Sequence, residues 1–361
     1  YDYYNSYRMY LQTSAKFRDC TAWTHFVVSL DTPQSTASDR VKIYVNGSRV
    51  TAFDTATYPS QNLDVSFNQN VLEAWGTEGT NQRLHFDGYL ADVYYVDGQQ
   101  LEPTSFGFTE SQTGIWKPKD YQGTYGQNGY HLEFKDDSGT TATTMGKDTS
   151  GNGHNWTPVN FSVASDFMTD IVTDSPSNNF CVLNYNGGSG NKVRDGGLSA
   201  QDAGTNGWRH TYGTFPLTRG KWYWEYRFSG SVNGSNGIFM GLAHADLTYE
   251  RDPNSSSTDM YGRQTDTRYS NGTNTSSHFP SFSDGDTVQF AFDADTGVMW
   301  SGVNNTWTGA EPSTGNSPSY TGIDASKGYV PVSGSYGSNN YNKVNFGQQG
   351  FKYTPPSGFK A

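Results

Sequence analysis

The stretch RVKIYVNGSRV (40–50) decides the fold class, because its residues alternate as they do in a β-hairpin. Val41, Ile43 and Val45 fall on one face of a strand, since successive side chains of a strand point to opposite faces. Asn46 and the glycine after it readily adopt the positive φ angles of a tight hairpin turn. The stretch therefore predicts two antiparallel strands joined by a two-residue turn.

Short alternating runs of this kind recur along the chain, and helical periodicity is nearly absent. Such spacing, broken by turn residues, is typical of sandwiches built from antiparallel sheets. The sequence therefore predicts an all-β protein. Further strands are expected in WTHFVVSL (23–30), GYLADVYYV (88–96), GYHLEF (129–134), KWYWEYRF (221–228), GIFMGLA (237–243), TVQFAFD (287–293), YVPVSGSY (329–336) and KVNFG (343–347).

Composition excludes some classes of partner. The 361 residues carry a formal net charge of −11 and contain no run of Lys or Arg, which argues against a nucleic-acid partner. Charged residues make up only 16%, whereas the chain has 25 Tyr, 21 Phe and 9 Trp, an aromatic content that argues against disorder. The polar surface must therefore consist mostly of Asn, Ser, Thr, Gln and Tyr, which recognise partners through hydrogen bonds and ring stacking.

Cysteine usage and hydropathy set further limits. Cys20 and Cys181 lie far apart in the sequence, and we do not favour a disulfide between them. No stretch approaches the ~20 apolar residues of a membrane span, so no membrane insertion is expected. The chain begins at Tyr1 rather than at Met, and we expect it to be processed or excerpted from a longer protein.

Three segments differ in character. Residues 1–118 and 199–361 are rich in predicted strands. Residues 119–198 are rich in Asp, Ser, Thr, Asn and Gly, as in DTSGNGHNW (148–156) and NGGSGN (186–191). We expect this middle part to connect two sandwiches and to be partly strand.

The first segment resembles the LamG family. Residues 23–31, the hairpin at 40–50 and HFDGYLADVYYVDGQQL (85–101) are similar to the later part of a LamG-type, concanavalin A-like jelly roll. The resemblance implies that the opening strands of the domain are missing here. Because such a sheet would expose its edges and core, we expect a preceding segment or a neighbouring subunit to complete it.

The third segment resembles the SPRY domain in four runs that follow the family's order. The resemblance implies a two-sheet concanavalin A-like sandwich that binds proteins or peptides through its edge loops. The runs are GKWYWEYRF (220–228), GIFMGLAHAD (237–246), GDTVQFAFDADTGVMW (285–300) and KVNFGQQGFKYTPPSGF (343–359). The aromatic residues expected to pack in its core are Trp222, Trp224, Phe239, Phe290, Trp300 and Phe346.

The order of these two resemblances is similar to that found in large structural proteins of tailed phages, especially marine ones. The linking runs at 116–136 and 148–156 support the same resemblance. It implies a tail fibre or a capsid-attached fibre at the virion surface, outside the cell. The implied partners are a host cell-surface glycan or protein and other virion subunits, including further copies of the chain in a homo-oligomer.

Catalysis is not predicted. Concanavalin A-like folds include glycoside hydrolases, which need two carboxylates about 5 to 9.5 Å apart. Residues two apart on a strand share a face, but Glu225 stands alone in its predicted strand and Asp92 stands alone in another. None of the seven His lies in a nucleophile motif, and Gly-x-Ser-x-Gly is absent from the sequence. We therefore expect no catalytic residues and no enzyme.

Calcium is the cofactor that the LamG resemblance allows, because hard cations take oxygen-rich loops. The alternative is that the candidate residues form Asx turns, in which the side chain caps its own backbone. We favour the turns, because the run lacks the fixed spacing of a calcium loop. The weak candidate ligands are Asp136, Asp137, Asp148 and Asn152.

The stretch 246–286 lies between two predicted SPRY strands and is expected to be a long loop. Loops longer than about 15 residues are usually functional or disordered. Its Tyr and Arg side chains suit an interface, although an insertion packed on its own scaffold is equally compatible with the sequence. The candidate ligand-binding residues are Tyr249, Arg251, Tyr261, Arg263, Arg268 and Tyr269.

Three functions remain open on the sequence alone. The first is a non-enzymatic virion appendage that binds host-surface glycan or protein through sandwich-edge loops. The second is a purely structural protein that decorates a capsid or tail and contacts neighbouring subunits. The third, which is disfavoured, is a glycoside hydrolase of concanavalin A-like fold, which would need two carboxylates facing each other in a cleft.

Overall fold

The computed structural model describes two compact units built almost entirely from antiparallel strands, which confirms the all-β prediction. The first unit comprises Tyr1–Val163 and Ser175–Asn179, and the second comprises Ala164–Asp174 and Phe180–Ala361. No described helix is long and apolar enough to cross a membrane. The structure describes all residues except 1, 5, 68, 70–72, 78–84, 87, 165–167, 185–190, 203–206, 231–236, 245–252, 254–258 and 337–340.

Small antiparallel sheets make up the first unit. Its strands are β1 (Asp2–Tyr4), β2 (Ser6–Thr13), β3 (Phe26–Leu30), β4 (Val41–Val45), β5 (Ser48–Arg49), β6 (Phe53–Thr57), β7 (Val93–Tyr95), β8 (Gly107–Thr109), β9 (Trp116–Pro118) and β10 (Tyr130–Leu132). They form the sheets β1-β2-β6 and β3-β4-β5 and the pairs β7-β10 and β8-β9. A single helical turn, α1 (Ala37–Arg40), precedes β4, and a 3₁₀ turn spans Pro103–Ser105.

The hairpin predicted at 40–50 is confirmed. β4 pairs with β3 on one side and with β5 on the other. Its turn residues have the positive φ angles that the sequence indicated, 47° at Asn46 and 79° at Gly47. Local turn chemistry was therefore sufficient to predict this element.

The sheet β3-β4-β5 buries one face and exposes part of the other. Val27 and Tyr44 pack against Phe106 and form a core cluster. Phe26 and Val28 lie on either side of Val27 along β3 and point to the opposite face, where they remain 50% and 65% exposed. The first unit therefore carries an apolar sheet surface that its described residues leave open.

Two predicted strands of the first unit shrink to three residues each. In GYLADVYYV (88–96), only β7 is regular, because Asp92 has φ of 50° and interrupts the extended backbone before it. In GYHLEF (129–134), β10 ends at Leu132, two residues before Phe134 with φ of 55°. A residue in the left-handed region departs from the extended backbone of a strand, and here it interrupts the ladder.

The remaining strands form a short pair, β11-β12, and two large sheets of the second unit. They are β11 (Val163–Ala164), β12 (Met168–Thr169), β13 (Asn191–Arg194), β14 (Ser199–Asp202), β15 (Trp208–Tyr212), β16 (Lys221–Ser229), β17 (Gly237–His244), β18 (Met260–Arg263), β19 (Arg268–Ser270), β20 (Thr273–Thr275), β21 (Thr287–Asp293), β22 (Val298–Val303), β23 (Thr306–Trp307), β24 (Tyr329–Tyr336) and β25 (Tyr341–Asn345). One sheet has the order β13-β14-β25-β16-β21-β22-β23, and the other has the order β15-β24-β17-β18-β19-β20. Short 3₁₀ turns occupy Asp195–Gly197, Pro312–Thr314 and Ala325–Lys327.

The two large sheets pack face to face as a sandwich. On β16, Trp224 stacks on Phe290 with ring centroids 5.4 Å apart. The hydroxyl of fully buried Tyr226 crosses from this sheet to donate to the carbonyl oxygen of Val332 on β24, at 2.7 Å. The core therefore lies between the sheets, and this hydrogen bond links one sheet to the other.

A second layer covers the outer face of the seven-stranded sheet. Tyr223 and Trp300 share this face and pack with Phe351 and Phe359 from the segment that follows β25. The backbone of Lys360 pairs in parallel with that of Trp222 at the β16 edge. We call residues 346–361 the C-terminal strap, because they lie across this face and cover it.

Glu225 fastens the C-terminal strap to the sheet. Its carboxylate is fully buried and accepts hydrogen bonds from the Tyr223 hydroxyl at 2.6 Å and from the backbone N–H groups of Lys352 and Tyr353, both at 2.9 Å. Burial raises the pKa of Glu225, and these hydrogen bonds only partly offset the increase. The carboxylate is therefore a structural group that ties the strap to β16.

The strands predicted in the SPRY-like runs are confirmed as β16, β17, β21 and β25, and the strand predicted at 329–336 is confirmed as β24. Five of the six aromatic residues expected in the core are buried, whereas Trp222 is half-buried and donates its indole N–H to the Arg219 carbonyl oxygen at 2.7 Å. The stretch 119–198 is divided between the two units and supplies β10 to the first and β13 to the second.

The two cysteines do not form a disulfide. Cys20 is half-buried in the first unit, and Cys181 is buried in the second. The Cys181 thiol lies 3.9 Å from the Thr214 hydroxyl, which donates to it. Cys181 therefore packs as a small core residue.

Candidate functional site

The stretch 246–286 was expected to be a loop, and this prediction is wrong for its central part. Residues 260–275 contain β18, β19 and β20, which extend the six-stranded sheet at one edge. β18 contains Gly262, whose Cα packs so closely on β17 that a Cβ would lie 2.2 Å from the Met240 carbonyl oxygen. Glycine weakens a strand prediction, although here close packing requires it.

Arg263 is fully buried in the interior of the second unit. Its guanidinium donates to the carbonyl oxygens of Thr265 and Pro280, and it lies 4.4 Å from the Phe279 ring centroid. Burial lowers the pKa of Arg263 to about 10. The side chain therefore satisfies buried carbonyl groups and is not accessible to a ligand.

The other described candidates from this stretch are also engaged within the fold. Tyr261 packs edge-on against Tyr329, and both Tyr261 and Tyr269 are buried. Arg268 is half-buried and donates to the Ser319 carbonyl oxygen at 3.2 Å. Tyr249 and Arg251 lie outside the described residues.

A hydrogen-bonded loop in the first unit, residues 146–156, holds the strongest constellation of polar groups. The Asp148 carboxylate accepts four hydrogen bonds, from the N–H of His131, the N–H and hydroxyl of Ser150 and the N–H of His154. The loop closes where the Trp156 N–H donates to the Gly146 carbonyl oxygen at 2.8 Å. We call it the Asp148 loop.

Asp148 is ionised over a wider pH range than an ordinary aspartate. Burial by itself would raise the pKa of Asp148, but the hydrogen bonds from the backbone N–H groups of His131, Ser150 and His154 and from the Ser150 hydroxyl outweigh it and lower the pKa. The carboxylate therefore acts as the fixed centre of the loop.

The calcium candidates do not fit a calcium site. Asp136 accepts from the N–H and hydroxyl of Ser138, and Asn152 donates its amide to the Gly126 and Gly129 carbonyl oxygens. The oxygens of Asp148 already face N–H and O–H donors, and Asp137 is exposed. Among the described residues, no three His, Cys, Asp or Glu side chains are grouped so that they could hold a metal ion. Asp136 and Asp148 instead accept from residues two positions later, as in the Asx turns of the alternative, and Asn152 bonds to the loop backbone.

An open groove of about 380 Å³ lies beside the Asp148 loop. Its aromatic wall is formed by Tyr130 and Trp156, whose ring centroids are 5.1 Å apart. Trp75 continues this wall, 6.4 Å from Trp156, and its indole N–H donates to the Tyr130 hydroxyl at 3.0 Å. We call this site, with Trp75 included, the aromatic groove. Its remaining lining residues are Gln69, Glu73, Asn128, His154 and Asn155.

The aromatic groove combines a flat apolar surface with amide, imidazole and carboxylate groups. Trp75 is 48% exposed, and Trp156 is half-buried. Among the lining residues that the structure describes, Glu73 is the one carboxylate, whereas glycoside hydrolysis uses two. The arrangement is therefore suited to binding a ligand that offers both a flat apolar face and hydroxyl groups.

A hydroxyl, an imidazole and a carboxylate also meet behind the groove. The Thr149 hydroxyl lies 3.0 Å from Nδ1 of His131, and Nε2 of His131 lies 3.3 Å from the Asp92 carboxylate. The imidazole is buried and stacks on Tyr94 with ring centroids 4.0 Å apart. Thr149 does not line the groove, so this trio fixes the imidazole in the core and places no nucleophile on the groove wall.

Sequence reasoning missed the aromatic groove, although it had selected the run 148–156 as a calcium candidate and as a linking motif. The missed signal was the Trp that ends this run, because a Trp next to amide and imidazole residues in a turn-rich run is costly to expose without a ligand. The contributions of Trp75 and Tyr130 come from distant parts of the sequence and could not be assigned without the fold.

Comparison with known proteins gives a fold likeness alone. Neither a family model nor a curated protein matches the sequence. Among solved structures, the chain is similar to the SPRY domain of human HERC1, with a TM-score of 0.37 and 17% sequence identity over 45% of this chain and 96% of that one.

Proposed function

We propose that this chain is a non-enzymatic adhesion protein that binds a surface glycan through the aromatic groove of its first unit. The observation that carries the proposal is the groove itself, in which the half-exposed indole of Trp75 and the half-buried indole of Trp156 lie beside amide and imidazole groups. Tryptophan and tyrosine dominate binding hot spots, because they bury a large rigid surface at a low entropic cost. A single carboxylate among the described lining residues favours binding over hydrolysis.

The finer part of the proposal is that the protein is carried on a virion, as a tail fibre or capsid-attached fibre that meets the host cell. It is supported by the sequence resemblance to LamG-like and SPRY-like modules in the order found in structural proteins of tailed phages. The net charge of −11 and the absence of a run of Lys or Arg agree with a partner other than nucleic acid.

A second candidate function is structural decoration of a capsid or tail, in contact with neighbouring subunits or with copies of the chain. The observation that favours it is the apolar face of β3, where Phe26 and Val28 are at least half exposed. Phe17 packs edge-on against Phe26 at 5.0 Å and is itself 46% exposed. Exposed apolar surface of this kind marks contacts with other proteins.

An array of purified bacterial surface polysaccharides, probed with the full chain, tests the adhesion function. We expect retention on at least one polysaccharide, with no reducing ends released during prolonged incubation. Release of reducing ends would show a hydrolase. Retention on none of them, together with a symmetric assembly in solution, would favour the decoration role instead.

The proposed location needs a separate test. Antibodies raised against the chain and carrying gold particles should label the surface of intact virions from the source culture, at the tail or on the capsid. Labelling confined to cell envelopes would contradict the virion assignment, whereas the groove would remain a binding site.

A further inference from the structure

We infer that the aromatic groove is specific for an uncharged pyranose residue, with the apolar face of the sugar ring on Trp156 and its hydroxyl groups on the two flanking asparagines. This inference rests on the proposed function and narrows the ligand class at the same site. Three observations support it. The aromatic wall is rigid, the other hydrogen bonds of the amides determine which of their atoms remain available, and the groove carries a negative charge.

The aromatic wall is fixed before any ligand arrives. The indole N–H of Trp75 is used by the Tyr130 hydroxyl, and Tyr130 itself is only 6% exposed. The backbone of Trp156 is held by its bond to Gly146. A preformed flat surface binds a rigid ring with little loss of conformational entropy, which suits a pyranose chair better than a flexible peptide.

Neighbouring bonds decide which atoms of the two asparagines remain available to a ligand. The backbone N–H of Asp148 donates to Oδ1 of Asn155 at 2.9 Å, which leaves the Nδ2 group of Asn155 as a donor. Nδ2 of Asn128 donates to the Asp97 carboxylate at 3.1 Å, which leaves Oδ1 of Asn128 as an acceptor. One asparagine therefore offers a donor and the other an acceptor.

His154 is fixed in the same way. Its Nε2 lies 2.9 Å from the Gln127 carbonyl oxygen, and a carbonyl only accepts, so Nε2 carries the hydrogen. The Tyr130 hydroxyl, which accepts from Trp75, retains its own proton to donate. Sugar hydroxyl groups donate and accept at once, and this mixed set is complementary to them.

Charge selects against acidic sugars. The described lining residues include the Glu73 carboxylate and no Lys or Arg. A uronic or sialic acid would bring its carboxylate towards this like charge, and the described lining offers it no Lys or Arg as a partner. Glu73 lies at the exposed rim, where screening leaves this repulsion modest, so the preference for an uncharged sugar rests mainly on the amide groups.

Asp148 is the positioning residue for this site. It touches no ligand, but its carboxylate binds the His154 N–H, and its own N–H orients the Asn155 amide. The polar side of the groove therefore depends on the Asp148 loop.

The test is a titration of the full chain with the methyl glycosides of glucose, galactose, mannose and N-acetylglucosamine, and with D-glucuronate and D-glucosamine as charged probes. Saturation-transfer NMR and tryptophan fluorescence report binding. We expect at least one neutral glycoside to bind, with affinity lower by about tenfold or more in Trp156→Ala, the loss equivalent to one good contact. Phe108→Ala, which truncates an exposed aromatic residue of the same unit, should bind as the unaltered chain does.

Three results would overturn the inference: no neutral glycoside binds, a charged probe binds more tightly than all neutral ones, or Trp156→Ala binds unchanged. Asp148→Asn supplies a readout for the positioning role, because weaker binding should accompany faster hydrogen exchange at the His154 amide. Repeating the polysaccharide array with Trp156→Ala separates the two proposals. Retention that survives this substitution leaves the adhesion function intact and removes the groove assignment, whereas no retention of the unaltered chain removes the adhesion function itself.

Discussion

The two units use the same types of residue in opposite ways. In the second unit, Tyr226, Glu225 and Arg263 are fully buried, and each is bonded to backbone groups of its own sandwich. Among the described residues, the large hydrophobic side chains that remain exposed all belong to the first unit, with Trp75 among them. Aromatic and polar richness alone therefore does not locate a binding surface, because the same composition serves a core in one unit and a groove in the other.

The difference lies in what holds each residue in place. Long paired strands fix the second unit, as in the seven-residue register between β16 and β21. The groove of the first unit is held by side-chain and backbone bonds around a loop centred on Asp148. Substitutions should therefore affect stability most in the second unit and ligand binding most in the first.

The largest expected effect is in the sandwich core. Trp224→Ala should lower the free energy of unfolding of the second unit by about 3 to 5 kcal/mol, because it truncates a Trp that is 1% exposed and stacked on Phe290. Denaturant titration read by hydrogen-exchange mass spectrometry measures each unit separately. The matched Phe108→Ala in the first unit, 45% exposed, should change stability by less than about 0.5 kcal/mol. Equal costs for the two variants would remove the contrast between the units.

Gly146→Ala should disrupt the Asp148 loop. A Cβ at this position would lie 1.7 Å from the Trp156 carbonyl oxygen, so the backbone must shift, at a cost of about 1 to 3 kcal/mol. We expect faster hydrogen exchange at the Trp156 amide and weaker glycoside binding. In the control Gly139→Ala, the nearest atom to the new Cβ is the Thr144 hydroxyl oxygen at 3.4 Å, and both readouts should stay unchanged. Unaltered exchange in Gly146→Ala would show that the loop relaxes freely.

Glu225→Gln should change how the stability of the second unit depends on pH. The pKa of Glu225 is raised in the folded state, so its contribution is fully present below the ordinary pKa of glutamate and is lost as the pH rises through the raised value. Glutamine does not titrate, and the variant should lose this slope in thermal unfolding measured from acidic to neutral pH.

The same variant should also be less stable by about 1 to 3 kcal/mol, because an amide N–H₂ would face one of the backbone donors of the C-terminal strap. Glu102→Gln, at a solvent-exposed carboxylate of the first unit, should change stability by less than about 0.5 kcal/mol. A Glu225→Gln protein with the original pH slope would show that another group causes it.

The smallest expected effect is on the first unit at acidic pH. The pKa of Asp148 is lowered in the folded state, so the stability that it contributes is present above the ordinary pKa of aspartate and is lost as the pH falls through the lowered value. Asp148→Asn should cost about 1 kcal/mol at neutral pH, the value of one hydrogen bond, and little at strongly acidic pH. Hydrogen exchange at the Ser150 and His154 amides measures the difference. An equal cost at both pH extremes would contradict the assignment.

The sequence predicted the fold where alternation and turn chemistry act locally. The hairpin at 40–50 and the strands β16, β21 and β24 follow from residues adjacent in the chain. The interruption at Asp92 was missed, because a left-handed aspartate leaves no mark in an apolar alternation. β18 was missed because its strand is stabilised by close contact between Gly262 and β17, which is a tertiary effect.

The candidate binding site was less predictable than the fold. Arg263 and Tyr269 looked like interface residues by type, yet their burial depends on contacts with strands and loops remote in sequence. The aromatic groove joins Trp75, Tyr130 and Trp156 from three separate stretches. Residue type can indicate recognition chemistry, but only the fold determines which of these side chains reach solvent.

The C-terminal strap also constrains the order in which the second unit is made. Strand β16 is synthesised more than a hundred residues before Lys352 and Lys360, whose backbones bond to Glu225 and Tyr223. Until the strap has left the ribosome, the nascent sandwich presents a bare aromatic layer around Tyr223 and Trp300. Such late, non-local closure slows folding and prolongs the interval during which that layer is exposed to other chains.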